Sequence, residues 1–172
     1  MSEFPQLFTQ KLILRKIQIE DVPALVKYAN NKKISENVLN LPYPYQEPDA
    51  VFRISYVVQG FKKKARYVFA IILKERQELI GEISLHMDNI YHVAQLGYWV
   101  GEPFWNQGIA SEAVAAMLQF GFETLNLDFI YATCNEQNKA SAKVLEKNGM
   151  EIHHVNGGVI QYRIVRSLNS TS

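Results

Sequence analysis

The stretch Leu96-Gly-Tyr-Trp-Val-Gly-Glu-Pro-Phe-Trp-Asn-Gln-Gly-Ile-Ala-Ser-Glu-Ala113 decides how this chain builds its most informative site. A strand pattern runs to Val100, a short loop follows, and a helix begins near Gly108. Gly108 and Ala110 keep the backbone bare at the first helical turn, where N–H groups are unpaired and the helix dipole is positive. Helix N-termini of this kind bind phosphate groups. A tight turn that needs glycine and binds nothing is an equal alternative at this point.

The helix after Gly108 is indicated by apolar or small residues at positions 110, 113, 114, 117, 118, 121, 122 and 125, which form one buried face. The common nucleotide-binding motifs are absent from the sequence. It contains no Gly-x-x-x-x-Gly-Lys-Ser/Thr loop and no Gly-x-Gly-x-x-Gly fingerprint. A Walker-type loop and a dinucleotide-binding fold therefore have no support.

Length and composition limit the classes of protein to consider. The 172 residues suit a single domain spanning 1–172, with 48% apolar and 20% charged residues. A net charge of +1 without a basic stripe argues against nucleic acid as a partner. The apolar runs are too short to cross a membrane, and no signal-peptide pattern opens the chain. One cysteine, Cys134, suits the reducing cytoplasm, and the four histidines lack metal-binding spacing.

Hydrophobic periodicity and turn residues predict the order βααβββαβαββ. The predicted strands are 11–16, 67–73, 79–85, 93–100, 129–133, 150–154 and 159–166, and the predicted helices are 22–29, 48–61, 108–125 and 139–148. Short connections force antiparallel neighbours early, whereas the helix at 108–125 forces a parallel crossover. The fold class is therefore α/β, with helices on the faces of a mixed, mostly antiparallel seven-stranded sheet.

Two separated blocks, in the right order, carry a resemblance to a known family. The first is Trp105-Asn-Gln-Gly-Ile-Ala110 followed by Ser-Glu-Ala113, and the second is Asn-x-x-Ser-x-x-Val-Leu-Glu-Lys-x-Gly from Asn138 to Gly149. With the opening Leu12-x-Leu-Arg15, they resemble the GNAT superfamily of acetyl-coenzyme A-dependent N-acetyltransferases. The aromatic residue at position 105 departs from the Arg or Gln of the wider superfamily and is similar to the RimJ/RimL-type branch.

The resemblance implies a site for acetyl-coenzyme A. Its pantetheine arm is expected on the backbone at the end of the fourth predicted strand, in an opening between the fourth and fifth strands. A backbone N–H near Tyr98 is expected to polarise the thioester carbonyl, and Asn138 and Ser141 are expected to face the pantetheine and sulfur. The full set of expected coenzyme contacts is Tyr98, Trp99, Val100, Asn106, Gln107, Gly108, Ile109, Ala110, Ser111 and Asn138.

The chemistry of acyl transfer assigns further roles. A departing thiolate benefits from a nearby O–H, which makes Ser141 the expected proton donor. Glu82 is a weaker candidate for the general base, because a carboxylate among apolar neighbours either enters the cleft or is paired. Asn138 has an alternative role as a helix N-cap. Two roles are open for three aromatic residues: they line a pocket for the amine acceptor, or they only pack within their loop and helix. These residues are Tyr43, Tyr45 and Phe52.

The sequence thus predicts an enzyme that transfers an acetyl group from acetyl-coenzyme A to a primary amine by direct attack in a ternary complex. The acceptor is a protein N-terminal α-amine, such as that of a ribosomal protein, or a small-molecule amine. The alternative is a GNAT-like module that binds acyl-coenzyme A without turnover. No metal, nucleic acid or membrane partner is expected, and a homodimer is left open.

Overall fold

The computed structural model describes residues 3–38 and 40–167, so the ends of the predicted 1–172 domain and Leu39 lie outside the described residues. Within those ranges one sheet holds eight strands: β1 (Leu7–Phe8), β2 (Leu12–Arg15), β3 (Arg66–Leu73), β4 (Glu78–Asp88), β5 (Val93–Val100), β6 (Phe129–Asn135), β7 (Glu151–Asn156) and β8 (Val159–Val165). The helices there are α1 (Val22–Ala29), α2 (Lys32–Ser35), α3 (Glu47–Lys62), α4 (Ile109–Gln119) and α5 (Lys139–Lys147). A π-helical turn, Phe120–Thr124, extends α4.

The sheet has the strand order β1-β2-β3-β4-β5-β6-β8-β7, and among these described strands only β5 and β6 pair in parallel. The mixed, mostly antiparallel sheet is confirmed, but the predicted count of seven strands is wrong. The missed strand is β1, whose two residues pair with Ile13 and Leu14 of β2 and are too few to show alternation. The predicted order also lacked α2, a single turn capped by the side chain of Asn31.

The parallel pair β5–β6 is short. Its register covers only Val93 with Phe129, Ala94 with Ile130 and Gln95 with Tyr131, although both strands continue beyond these pairs. The strands are therefore joined at one end and parted at the other, as the family resemblance implied. The parted end lies beside Tyr98, near the loop that leads into α4.

The two faces of the sheet carry different helices. Phe69 and Tyr67 of β3 contact Phe120, at ring-centroid distances of 5.5 and 5.6 Å, which places α4 and its extension on their face. On the other face, Arg53 of α3 reaches Glu82 of β4. Residues paired across strands share a face, and successive residues alternate between faces. We call these surfaces the α4 face and the α3 face.

The same alternation determines on which face of the sheet each site residue lies. Glu82 is paired with Trp99, so both lie on the α3 face. Ile83 is paired with Tyr98, so both side chains lie on the α4 face. Apolar side chains fill the core on both faces, including Leu25 and Val57 from the helices and Ile83 and Leu85 from the sheet. Among the described helices, none combines the length and the hydropathy needed to cross a membrane.

Candidate active site

The loop before α4 has the geometry of an anion site. Gly108 is the N-cap of α4, with a φ of 76°, and Asn106 has a φ of 61°. The first bond of the helix is donated by the Glu112 N–H to the Gly108 carbonyl oxygen (3.1 Å). The N–H groups of the preceding first turn thus have no i−4 acceptor within the helix. A Cβ added to Gly108 would meet no atom within 4 Å, so the approach to the loop is open.

The loop is tied to β5 by the residue that departs from the wider family pattern. The Trp105 indole Nε1 donates to the Val100 carbonyl oxygen at 2.6 Å. The Gln107 side chain adds a hydrogen bond to the Pro103 carbonyl oxygen at 3.2 Å. Trp105 had no structural role among the sequence-based expectations. The indole N–H can only donate, and it finds its acceptor five residues earlier in the chain.

The backbone N–H and C=O groups at the end of β5 point alternately towards β4 and towards β6. The Gly101 N–H donates to the Ile80 carbonyl oxygen of β4 at 2.7 Å. Since hydrogen-bonding groups alternate between the two sides of a strand, those of Tyr98 and Val100 face the parted side, towards β6. Those of Trp99 face β4. The alternation thus favours Tyr98 and Val100 for contact with a pantetheine arm, and it does not favour the predicted contact through Trp99.

Tyr98 and Ser141 are in direct contact. The Tyr98 hydroxyl and Ser141 Oγ lie 2.9 Å apart, and either can be the donor. Burial raises the pKa of Tyr98 to about 12, against the opposing hydrogen bond from Ser141. The phenol therefore keeps its proton at neutral pH. Only the backbone of Tyr98 was expected at the site. Its hydroxyl was missed, since nothing in the sequence pattern links positions 98 and 141.

The first turn of α5 holds Ser141 in position. Asn138 Oδ1 accepts a hydrogen bond from the Ser141 N–H at 3.2 Å, so the capping role of Asn138 is confirmed. Its contact with a coenzyme stays a prediction. At the far end of α5, the Asn148 amide donates to Ser111 Oγ at 3.2 Å and thereby ties α5 to α4. The predicted residue Ser111 therefore has a structural contact as well.

Cys134 of β6 lies next to this group. It is buried and packs as a small apolar side chain. Burial raises the pKa of the Cys134 thiol, and a hydrogen bond to Ser141 opposes that rise. A protonated, buried thiol is a poor nucleophile. This fits a reaction without a covalent enzyme intermediate.

Glu82 is buried on the α3 face in an ion pair. Its Oε2 accepts from Arg53 Nη2 at 2.8 Å and from Arg53 Nε at 3.1 Å. Its Oε1 is buried and has no hydrogen-bond partner among the described residues. The same holds for the Tyr45 hydroxyl and for Trp99 Nε1. Burial, followed by the charge of Glu82, raises the pKa of Tyr45, so the two side chains share one environment.

The three aromatic residues considered for an acceptor pocket have different environments. Tyr45 is buried, whereas Tyr43 and Phe52 are 54% and 72% exposed. Tyr45 lies close to the buried ion pair, since the charges of Glu82 and Arg53 both act on its pKa. Across residues 3–38 and 40–167, no three His, Cys, Asp or Glu side chains are grouped so that they could hold a metal ion.

Comparison with known proteins identifies relatives of the whole site. The family model described as an acetyltransferase (GNAT) domain matches residues 11–151. The uncharacterized N-acetyltransferase p20 of Bacillus licheniformis is 33% identical over 143 residues, which cover 81% of this chain and 78% of the relative. The [ribosomal protein uS5]-alanine N-acetyltransferase of Escherichia coli is 25% identical over 152 residues, covering 85% and 78%.

Solved structures share the fold. The ribosomal-protein-S5-alanine acetyltransferase of Vibrio fischeri superposes with a TM-score of 0.81 at 20% identity, covering 95% of this chain and 98% of that one. RimJ of Mycobacterium smegmatis, in complex with a CoA disulfide, gives 0.79 at 20% identity, covering 90% and 81%. At these identities the likeness establishes the architecture and not the substrate.

Proposed function

Because the chain belongs to the GNAT acetyltransferase family, among its RimJ/RimL-like members, and is an acetyl-coenzyme A-dependent N-acetyltransferase, we propose that it acetylates a protein N-terminal α-amine by direct attack in a ternary complex. The observation that carries the proposal is the end of the β5–β6 ladder at Gln95 and Tyr131. Next to that end, the Tyr98–Ser141 hydroxyl pair lies on one face of the sheet and Glu82 on the other.

The residues present fit the coenzyme. The open approach to Gly108 and the N–H groups in the first turn of α4, which have no acceptor within the helix, suit a pyrophosphate. The backbone groups of Tyr98 and Val100 face the parted side, where an extended pantetheine arm would pair as an added strand does. The Trp105 indole occupies the Val100 carbonyl oxygen, which still has a second lone pair to offer.

The proposed reaction consists of the attack of the amine on the thioester and the protonation of the departing thiolate. The neutral amine attacks the thioester carbonyl, whose oxygen gains negative charge and is stabilised by the Tyr98 backbone N–H. The new C–N bond forms as the C–S bond breaks. The thiolate then takes a proton from Ser141, which the Tyr98 hydroxyl can in turn supply through their 2.9 Å contact.

The acceptor enters, in this proposal, from the α3 face. There Glu82 Oε1 is a buried oxygen without a partner among the described residues, and it can accept a hydrogen bond from the amine. Arg53 fixes the other oxygen and thereby the orientation of the carboxylate. The Escherichia coli relative, whose name gives an alanine of ribosomal protein uS5 as acceptor, supports a protein N-terminus over a small-molecule amine.

The test is thiol release from acetyl-coenzyme A in the presence of a panel of peptides and amines. Peptides with a free N-terminus, the same peptides with a blocked N-terminus and one internal lysine, and small alkylamines separate the three acceptor classes. We expect turnover with the free N-terminal peptides. Turnover with alkylamines alone would contradict the proposed acceptor. Tight coenzyme binding without thiol release for any amine would contradict the proposal that the protein catalyses acetyl transfer.

A further inference from the structure

The mechanism above leaves one pair of side chains without a role. Ser84 and His86 of β4 follow Glu82 at alternate positions, so all three lie on the α3 face. Ser84 Oγ and His86 Nε2 lie 3.1 Å apart. Ser84 is 6% exposed, whereas His86 is only half-buried. The pair thus connects a buried hydroxyl to an imidazole that solvent can reach.

The sheet register places this pair next to the reacting atoms. Tyr98 is paired with Ile83, so the pairs on either side of it are Glu82 with Trp99 and Ser84 with Gly97. On the α3 face, Glu82 and Ser84 of β4 therefore lie one residue before and one residue after the level of Tyr98, while the Tyr98 N–H itself faces β6.

Gly97 of β5 lies beside the Ser84 hydroxyl, which also donates to the Gly97 carbonyl oxygen at 3.4 Å. A Cβ at Gly97 would lie 3.4 Å from Ser84 Oγ, so a side chain there would contact the hydroxyl that glycine leaves uncovered. The β5–β6 ladder has already ended at Gln95, two residues earlier. An amine that reaches the Tyr98 N–H from the α3 face thus meets Ser84.

We propose that Ser84 accepts the proton of the attacking amine and passes its own proton to His86, an inference that rests on the proposed acetyl transfer. As the amine nitrogen bonds to the carbonyl carbon, one N–H proton moves to Ser84 Oγ. The Ser84 O–H proton moves at the same time to His86 Nε2, which is the acceptor when the neutral ring carries its proton on Nδ1. His86 then releases the proton to solvent. His86 acts through Ser84 and is a positioning residue.

The surroundings of His86 keep its ring neutral. Burial lowers the pKa of His86, and the positive charges of Arg53 from α3 and Arg66 from β3 lower it further. Arg66 is its register partner on β3, and the uncharged Gln95 is its partner on β5. A neutral imidazole can take a proton at neutral pH, whereas an imidazolium cannot.

Glu82 is less suited to carry the proton away. Its Oε2 is engaged by two N–H groups of Arg53, and the carboxylate is almost fully buried, at 3% side-chain exposure. A proton accepted there cannot move on to Arg53, because a guanidinium has no acceptor atom. Glu82 therefore orients the amine, and Ser84 with His86 provides the path to solvent.

The experiment measures kcat and KM against pH for the wild type, Ser84→Ala, His86→Gln and the double variant, with the free N-terminal peptide as acceptor. His92→Gln, at an exposed position, is the control. We expect each single variant to lose about 10²-fold in kcat, the low end for general acid–base assistance, with an unchanged KM for acetyl-coenzyme A. The double variant loses no more than either single one, because residues of one path are not additive. In His86→Gln the part of the acidic limb of kcat that lies below about pH 6.5 should disappear, whereas the limb set by the acceptor's own α-amine, with a pKa of about 8, should remain.

Additive losses, wild-type rates in His86→Gln, or an acetyl adduct on Ser84 detected by mass spectrometry would overturn the proton path. If Ser84→Ala fails to fold, His86→Gln carries the test, since its side chain is half-buried and keeps a hydrogen-bonding group. The proposed function fails differently: the wild type itself would then bind acetyl-coenzyme A and release no thiol with any peptide.

Discussion

The hydroxyl groups of Tyr98 and Ser141 form a 2.9 Å hydrogen bond that joins β5 to the first turn of α5. The two residues are 43 positions apart in the chain. The bond connects β5, one of the parted strands, to the helix that follows the other one, β6. Two hydroxyl groups in contact can transfer a proton from one to the other. The effects on turnover of removing either hydroxyl should therefore not be additive.

Replacing Ser141 with Ala should lower kcat by about 10²-fold, because the thiolate loses its proton donor. The KM for acetyl-coenzyme A should change little. If Ser141 only supports the first turn of α5, turnover stays normal and the free energy of unfolding falls by about 1 kcal/mol or less. Steady-state kinetics and urea unfolding on the same variant distinguish the two results. Ser55→Ala, at an exposed position of α3, is the matched control.

Replacing Gly108 with Glu should abolish acetyl-coenzyme A binding and leave the fold intact. The side chain would enter open space at the loop and repel the pyrophosphate, and the positive φ would cost about 1–2 kcal/mol of stability. Gly158→Glu is the matched control, since Gly158 has a φ of 80° and is equally open but lies in the β7–β8 turn. Calorimetric titration should show binding by the control alone. A folded Gly108→Glu protein with wild-type affinity would remove the phosphate-site assignment.

The sequence predicted the parts of the fold that depend on local pattern. The bounds of β5 and α1 match, and the parallel pairing of β5 with β6 follows from the crossover helix between them. The opening between these two strands was expected from the family resemblance. The β1 strand was missed because its two residues gain their structure only from pairing with β2. A strand of that length leaves no periodicity in the sequence.

The candidate site was predictable where a contact is local in the chain. The Asn138 cap is three residues from its partner Ser141, and the Gly108 turn lies in one short stretch. The ion pair between Arg53 and Glu82, 29 positions apart, depends on how α3 packs on β4. Ser84 and His86 are local, but their significance comes from the register with β5, which no single segment specifies.

Breaking the buried ion pair should cost stability as well as activity. Glu82→Gln leaves the Arg53 guanidinium without its carboxylate, at a cost of about 3 kcal/mol. The low end of the range for buried pairs applies because the Arg53 side chain is 21% exposed. Urea unfolding should show most of this loss reversed when Arg53→Met is combined with Glu82→Leu, since apolar replacement of both partners removes the unpaired charge. A double variant as unstable as the single one would contradict this account. Turnover should be impaired both in Glu82→Gln and in the double variant, because each lacks the Glu82 carboxylate.

The burial of neutral His86 should make the fold sensitive to acid. Its pKa in the folded protein lies below the ordinary value of 6.5. The unfolded chain therefore binds more protons than the folded one as the pH falls through about 6.5, and the free energy of unfolding decreases from there until the folded pKa is passed. His86→Gln should lose less stability between about pH 7.5 and about pH 5.5 than the wild type does. The remaining titratable groups are common to both proteins, so equal losses in urea unfolding would show that His86 does not contribute.

Trp105 should govern coenzyme affinity without touching the reacting atoms. Its indole N–H holds the end of β5 against the loop that leads to Gly108, through the 2.6 Å bond to the Val100 carbonyl oxygen. Trp105→Phe keeps an aromatic ring but loses that bond, which is worth about 1 kcal/mol and corresponds to about a fivefold weaker Kd for acetyl-coenzyme A. Glu102→Gln is the control in the same loop: it removes an exposed ion pair with Lys33 (3.2 Å), which should contribute almost nothing. Calorimetric titration of both variants decides, since unchanged affinity in Trp105→Phe would mean that the loop holds its shape without the indole bond.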